Sequence, residues 1–148
     1  MAYWVGVVGS REGVERLRTN DATWWCISKN ARPGDLIALY VARNRLPELP
    51  DEQAGFTAFF EILGPEPERV VECRNFGGSS FGGSAPVPVK ITVKQRFPIG
   101  LRLAEMKLDK VLSGAKFVRR SFQGTYFEAT PSEFSRIEKL LIKRSGGN

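Results

Sequence analysis

The chain has 148 residues, 42% of them apolar and 26% charged, with a formal charge of +6 and no histidine. That size suits one domain with its own core rather than two, and the composition argues against wholesale disorder. Without histidine the usual general base, the Ser-His and Cys-His pairs and the commonest metal ligand are missing, so binding stands ahead of catalysis and no catalytic, metal or cofactor residue is expected.

The stretch YWVGVV, Tyr3 to Val8, is apolar and β-branched and predicts a first strand; no basic region precedes it, so it does not read as a secretory signal. Ser10 then caps a short helix whose buried face carries Val14 and Leu17. In TWWCISKNARPGD, Thr23 to Asp35, two tryptophans are adjacent. Neighbours in extended chain point to opposite faces, so Trp24 and Trp25 cannot enter the same core. Pro33 and Gly34 fit the centre of a type II turn that feeds DLIALYVA, a strand apolar enough to be buried on both faces.

RNRLPELPDEQAG reads as a loop, and FTAFFEIL, Phe56 to Leu63, as a strand stopped by GPEPE. The run NFGGSSFGGSAP repeats Phe-Gly-Gly-Ser at Phe76 and Phe81 and predicts a mobile loop. VPVKITVKQRF alternates, with Val89, Ile91 and Val93 on one side and Lys90, Thr92, Lys94 and Arg96 on the other. LRLAEMKLDKVLSG predicts a helix ending at Gly114, and KFVRRSFQGTYFEA a short strand, a turn and another short strand. The last helix has the clearest start: Thr130 as cap, Pro131 at the first helical position, Glu133 closing a capping box, then Phe134, Ile137, Leu140 and Leu141 as its apolar stripe.

Strands in the middle with helices early and late define an α+β chain, a curved antiparallel sheet or small barrel with helices against it. One domain is expected over 1–145, with a frayed tail at 146–148. Cys26 and Cys73 are read as two separate buried thiols. No apolar run approaches the ~20 residues of a membrane span, so a cytoplasmic protein without a membrane partner is expected.

Three constellations could carry chemistry. The tryptophan pair is followed by Ser28, Lys29, Asn30 and Arg32. One indole of such a pair ordinarily fills the core, while the other can stack on a flat ring beside groups that bond a base edge or a phosphate. The basic face of Lys90, Lys94 and Arg96, extended by Arg119, Arg120, Arg43 and Arg45, is either a solvated strand face or a track for phosphates. RRSFQGTYF gathers Arg120, Phe122 and Gln123 beside Gly124. The positive balance favours a polyanionic partner, nucleic acid ahead of an anionic surface.

The order YWV, TWW, RPGDLIALY, GFTAFFEI, a long basic strand and SFQGTYFEATPSEF resembles an EVE domain of the PUA-like superfamily, fold relatives of the YTH readers of methylated adenine. The resemblance covers essentially the whole chain, and its most specific parts are Gly34-Asp35 with Tyr40, and Gln123-Gly124 before the Thr-Pro-Ser-Glu cap. It implies a PUA-like small mixed β-barrel flanked by helices, which binds a modified base turned out of a nucleic-acid strand, DNA rather than RNA. A partner effector such as a nuclease is a further implication.

On this resemblance and the constellations together, Trp24, Trp25, Ser10, Ser28, Asn30, Phe122 and Gln123 would line the base pocket. Lys29, Arg32, Lys90, Lys94, Arg96, Arg119 and Arg120 would follow the backbone. Either tryptophan can be the cage wall, with Trp25 the expected one. Two other readings stand beside this one. A PUA-like hydrolase of a modified nucleoside would have to use Lys29, Thr23 and Glu61, and an accessory domain would bind RNA or a protein.

Overall fold

The computed structural model describes residues 1–43, 46–74 and 85–146. Most of the glycine-rich run, Arg45, and Gly147 and Asn148 of the expected tail lie outside the described residues.

Six strands form one mixed, curled sheet in the order β2-β5-β4-β3-β1-β6. They are β1 (Tyr3–Val8), β2 (Ala22–Ile27), β3 (Leu36–Val41), β4 (Gly55–Pro65), β5 (Val87–Leu101) and β6 (Tyr126–Ala129). Among the described residues only β1 and β3 pair in parallel. Their alternation divides the core in two: Val5, Val7, Ala38 and Tyr40 join one apolar cluster, while Trp4, Val8, Ile37 and Leu39 join the other. The central strands are thus buried on both faces, as DLIALYVA predicts.

Five helices flank the sheet among the described residues: α1 (Arg11–Thr19), α2 (Val70–Arg74), α3 (Leu103–Lys107), α4 (Lys116–Arg119) and α5 (Pro131–Arg144). None is long and apolar enough to cross a membrane. The Ser10 hydroxyl accepts the Gly13 N–H at 3.0 Å, and Val14 and Leu17 are buried. Thr130 and Glu133 make the reciprocal capping box that starts α5.

Several elements differ from the sequence expectation. The single helix expected to end at Gly114 breaks after Lys107, because the Asp109 carboxylate accepts the N–H groups of Val111 (3.1 Å) and Leu112 (3.0 Å) and diverts the backbone. KFVR is one helical turn rather than a strand, burying Phe117 and Val118 together. VVECR, which carries no clear period, forms α2. At the β4 start and β5 end two backbones touch. A Cβ on Gly55 would lie 2.1 Å from the Leu101 oxygen, and one on Gly100 1.8 Å from the Ala54 oxygen, so neither site accepts a side chain.

The two cysteines are not separate thiols. Cys26, near the end of β2, and Cys73, in α2, form a disulfide with Cα atoms 5.5 Å apart. Both β2 and α2 pack on β5, and a separation of 47 residues in sequence carries no trace of that proximity.

Candidate nucleic-acid interface

Strand β2 is an edge of the sheet, and it sends its two indoles to opposite sides. Trp25 points inward and is 1% exposed. Its ring fills the space left by two glycines: a Cβ on Gly6 would lie 3.0 Å from the Trp25 Nε1, and one on Gly13 3.3 Å from the far edge of the ring. This corrects the expectation for Trp25, which belongs to the core rather than to a cage.

Trp24 is the open member of the pair. It is half-buried, and it borders a hollow of about 450 Å³ shared with Arg16, Asn20, Thr23, Arg69 and Lys90. The Arg16 guanidinium sits 4.1 Å from its ring centroid and that of Arg69 at 5.2 Å. Lys90 is its cross-strand partner on β5. Arg16 is drawn into partial burial, which pulls its pKa below the usual arginine value, an effect that Glu12 opposes, Arg69 deepens and Glu72 opposes. Its Nε has no hydrogen-bond partner among the described residues, and its terminal nitrogen only reaches the Trp24 carbonyl at 3.5 Å. A guanidinium with a buried, unpaired Nε thus lies over one half-buried indole.

The other expected pocket residues do not converge here. Strand register explains why. Arg32 to Asp35 precede β3 at the end marked by Tyr3, whereas Ser10 follows β1 at the end marked by Val41. Ser10 is the cap of α1. Ser28, expected to face a base, is 3% exposed and accepts the Asn30 N–H at 3.1 Å, holding a turn. Lys29, Asn30 and Arg32 are exposed on that turn. The turn is organised by buried Asp35, which accepts N–H bonds from Ala2 (2.9 Å), the Trp4 indole (3.0 Å) and Arg32 (2.9 Å).

Phe122 and Gln123 sit at the Ser10 end, on a second hollow of about 520 Å³ shared with Tyr40, Arg43, Arg102 and Lys107. Phe122 is not a cage wall. It is 3% exposed and stacks on Tyr40 with centroids 3.5 Å apart. Consecutive left-handed residues, Ser121 (φ 51°) and Phe122 (φ 57°), turn the chain at the end of α4 and drive that ring inward. Gln123 and Arg119 are exposed; Arg120 caps α4 and is half-buried. Burial pushes the Tyr40 phenol pKa up, while its oxygen accepts the Leu103 N–H at 3.1 Å.

The basic face of β5 also divides. The register against β4 slips between Phe59 and Phe60, making Lys94 an extra residue that breaks the alternation. Lys94 pairs with Glu61 at 3.3 Å. Arg96 is held by Asp21 (2.7 Å) and by the carbonyls of Leu17 (3.0 Å) and Asn20 (2.8 Å). It therefore closes the end of α1, a structural role in place of the expected phosphate contact. Only Lys90 of this set reaches the Trp24 hollow.

Sequence reasoning missed Arg16 and Arg69. Neither has a pattern that announces contact with an indole, and each arrives from an element other than β2. A weaker signal existed for the second hollow: residues 101–124 hold six Lys and Arg against Glu105 and Asp109 alone. Those two acids pair with Arg144 and Arg136 of α5, and Arg102 reaches both Glu105 and Asp51 at 3.7 Å.

No protein-family pattern matches the sequence, and no curated protein matches it. Folds do match over nearly the full length. A hypothetical protein from Leishmania major is 15% identical, with 97% of this chain and 96% of that one covered at a TM-score of 0.69. Human THYN1, in a complex with 5-methylcytosine-containing DNA, is 15% identical over 95% of this chain and 97% of its own, at a TM-score of 0.62. The MmI1 YTH domain is 9% identical over 97% of both chains, at 0.53. These likenesses show a shared fold, a curled six-stranded half-barrel with helices on both faces, of the kind that the resemblance to EVE domains implies.

Proposed function

We propose that this chain is a non-catalytic module that binds nucleic acid through a modified base, with Trp24 as the stacking platform. The observation that carries it is the half-open Trp24 ring, set on the sheet edge with Arg16, Arg69 and Lys90 around it. The THYN1 complex with 5-methylcytosine DNA, on the same fold, supports the ligand class. We take DNA carrying 5-methylcytosine, 5-hydroxymethylcytosine or N6-methyladenine as the ligand, and a nuclease-like effector as a partner class.

Magnitudes show what such a site must combine. Taking a base out of its stack costs a few kcal/mol, roughly. Stacking on an aromatic ring returns about 1–3 kcal/mol. Burying one methyl group adds ~0.8 kcal/mol, a preference of about fourfold. A methyl group alone therefore discriminates poorly, and edge contacts that the ring cannot make fall to other groups of the hollow, such as the Asn20 side-chain oxygen and the Lys90 ammonium. The cations of residues 101–124 add backbone attraction without selectivity.

The test is a titration of oligonucleotides carrying cytosine, 5-methylcytosine, 5-hydroxymethylcytosine, adenine or N6-methyladenine, single- and double-stranded, at two salt concentrations. The expected result is a preference for one modified base that persists at the higher salt and is lost in Trp24→Ala. Steep salt dependence with equal affinity for every base would overturn the reading.

A further inference from the structure

We infer that the Cys26–Cys73 disulfide is a positioning device for the Trp24 hollow, which makes that hollow sensitive to thiol reductants. The inference rests on Trp24 being the stacking platform. Cys26 is two residues beyond Trp24 on β2, and Cys73 is four beyond Arg69 in the segment leading into α2. One covalent bond thus ties the strand that carries the indole to the wall that carries Arg69.

Beyond the Glu66 N–H, which donates to the Pro88 carbonyl of β5 at 3.0 Å, that wall has little else to hold it. Glu66, Glu68 and Arg69 border the hollow. They are followed by a helix of five residues, in which only Cys73 is buried and Val70 and Val71 are exposed. A single helical turn is not stable by itself. Its ion pair, Arg69 with Glu72 at 3.0 Å, is a solvent-exposed surface contact of small value. The bond closes a long loop and so restricts the freedom of this wall. In the bonded state Arg69 is kept 5.2 Å from the Trp24 centroid, where it is preorganised for an anionic ligand.

The chemistry balances with a dithiol as reductant. Its thiolate attacks one cysteine sulfur to give a mixed disulfide, and its second sulfur displaces the remaining cysteine. Cys26 and Cys73 each leave as a thiol with one proton, and the dithiol leaves as its disulfide. Both sulfurs belong to buried residues, so attack proceeds through local opening of the α2 turn.

The experiment compares the full chain oxidised, reduced with dithiothreitol, and as Cys73→Ser. Ligand-free readouts come first: hydrogen exchange of residues 66–74, and acrylamide quenching of indole fluorescence, which reports chiefly on Trp24 because Trp4 and Trp25 are buried. Reduction is expected to speed exchange in 66–74, leave the β3 and β4 amides unchanged and raise quenching. Affinity for the preferred oligonucleotide from the panel is expected to fall about tenfold. Cys73→Ser should behave as the reduced protein does, and reduction should not alter it. Unchanged exchange and quenching on reduction would overturn the device, as would unchanged affinity. If the oxidised protein binds no oligonucleotide, the reader proposal fails, and exchange with quenching still decides whether the bond holds the wall.

Discussion

The guanidinium carbon of Arg16 lies 4.1 Å from the ring centroid of Trp24 and 5.4 Å from that of Trp25. One helix residue therefore bridges the open indole and the buried one. It faces the fork at which β2 divides the pair between solvent and core, and it gives the two rings different susceptibilities to mutation.

Trp25→Ala removes a fully buried ring and is expected to cost about 3–5 kcal/mol of stability. Trp24→Ala loses chiefly its arginine contacts, about 1 kcal/mol, and abolishes the base preference. Chemical denaturation and oligonucleotide titration of both variants check the split. A stable Trp25→Ala protein with lost base preference would reverse the assignment.

Two cations on one strand should behave differently. Lys90→Ala, at the hollow, is expected to weaken binding to all oligonucleotides and to lower the salt slope by about 1. Arg96→Ala removes a charge-assisted clasp on the end of α1, worth about 1.5–3 kcal/mol in stability. Its salt slope should stay that of the parent. Salt titrations set beside melting curves separate the two.

Acid should unfold the chain through two aspartates. Burial opposes the charge on Asp35, but bonds from Ala2, Trp4 and Arg32 outweigh it, and its pKa is held below the ordinary value. At Asp109 the Arg136 bond is the largest cause of a similar depression. Protons therefore bind the unfolded chain first. The stability that these groups supply is complete above about pH 5 and is lost as pH falls through about 4 and below. Asp35→Asn with Asp109→Asn should melt lower at neutral pH and show a flatter decline in acid.

The turn after α4 carries strain that can be relieved. Ser121 has φ 51°, where a side chain costs about 1–2 kcal/mol relative to glycine. Ser121→Gly is expected to raise stability by up to about 1 kcal/mol. Phe122→Ala should lower it by about 3–5 kcal/mol, because the ring that stacks on Tyr40 disappears. Denaturant midpoints of the two variants should move in opposite directions.

Local patterns made much of the fold legible. The alternation in β5 as far as Val93, the doubly buried β3 and the cap at Thr130 each follow from neighbours within a few residues. The break after Lys107 was not legible, because Asp109 is oriented by Arg136, which lies 27 residues away. The strand expected at KFVR failed for a related reason: β-forming residue types were overridden by the burial of Phe117 and Val118 beneath the sheet.

The sequence by itself determined that two adjacent tryptophans could not enter the same core, since successive side chains of a strand diverge. It also determined the helix caps and the positive balance that singles out an anionic partner. Only the tertiary structure decided that Trp24 is the open ring, that Arg16 and Arg69 flank it, and that Cys26 meets Cys73. Ser28, Phe122 and Arg96 were likewise claimed for packing and caps. Facing is a local property of the backbone, whereas proximity depends on strand order and register, which join residues far apart in the chain.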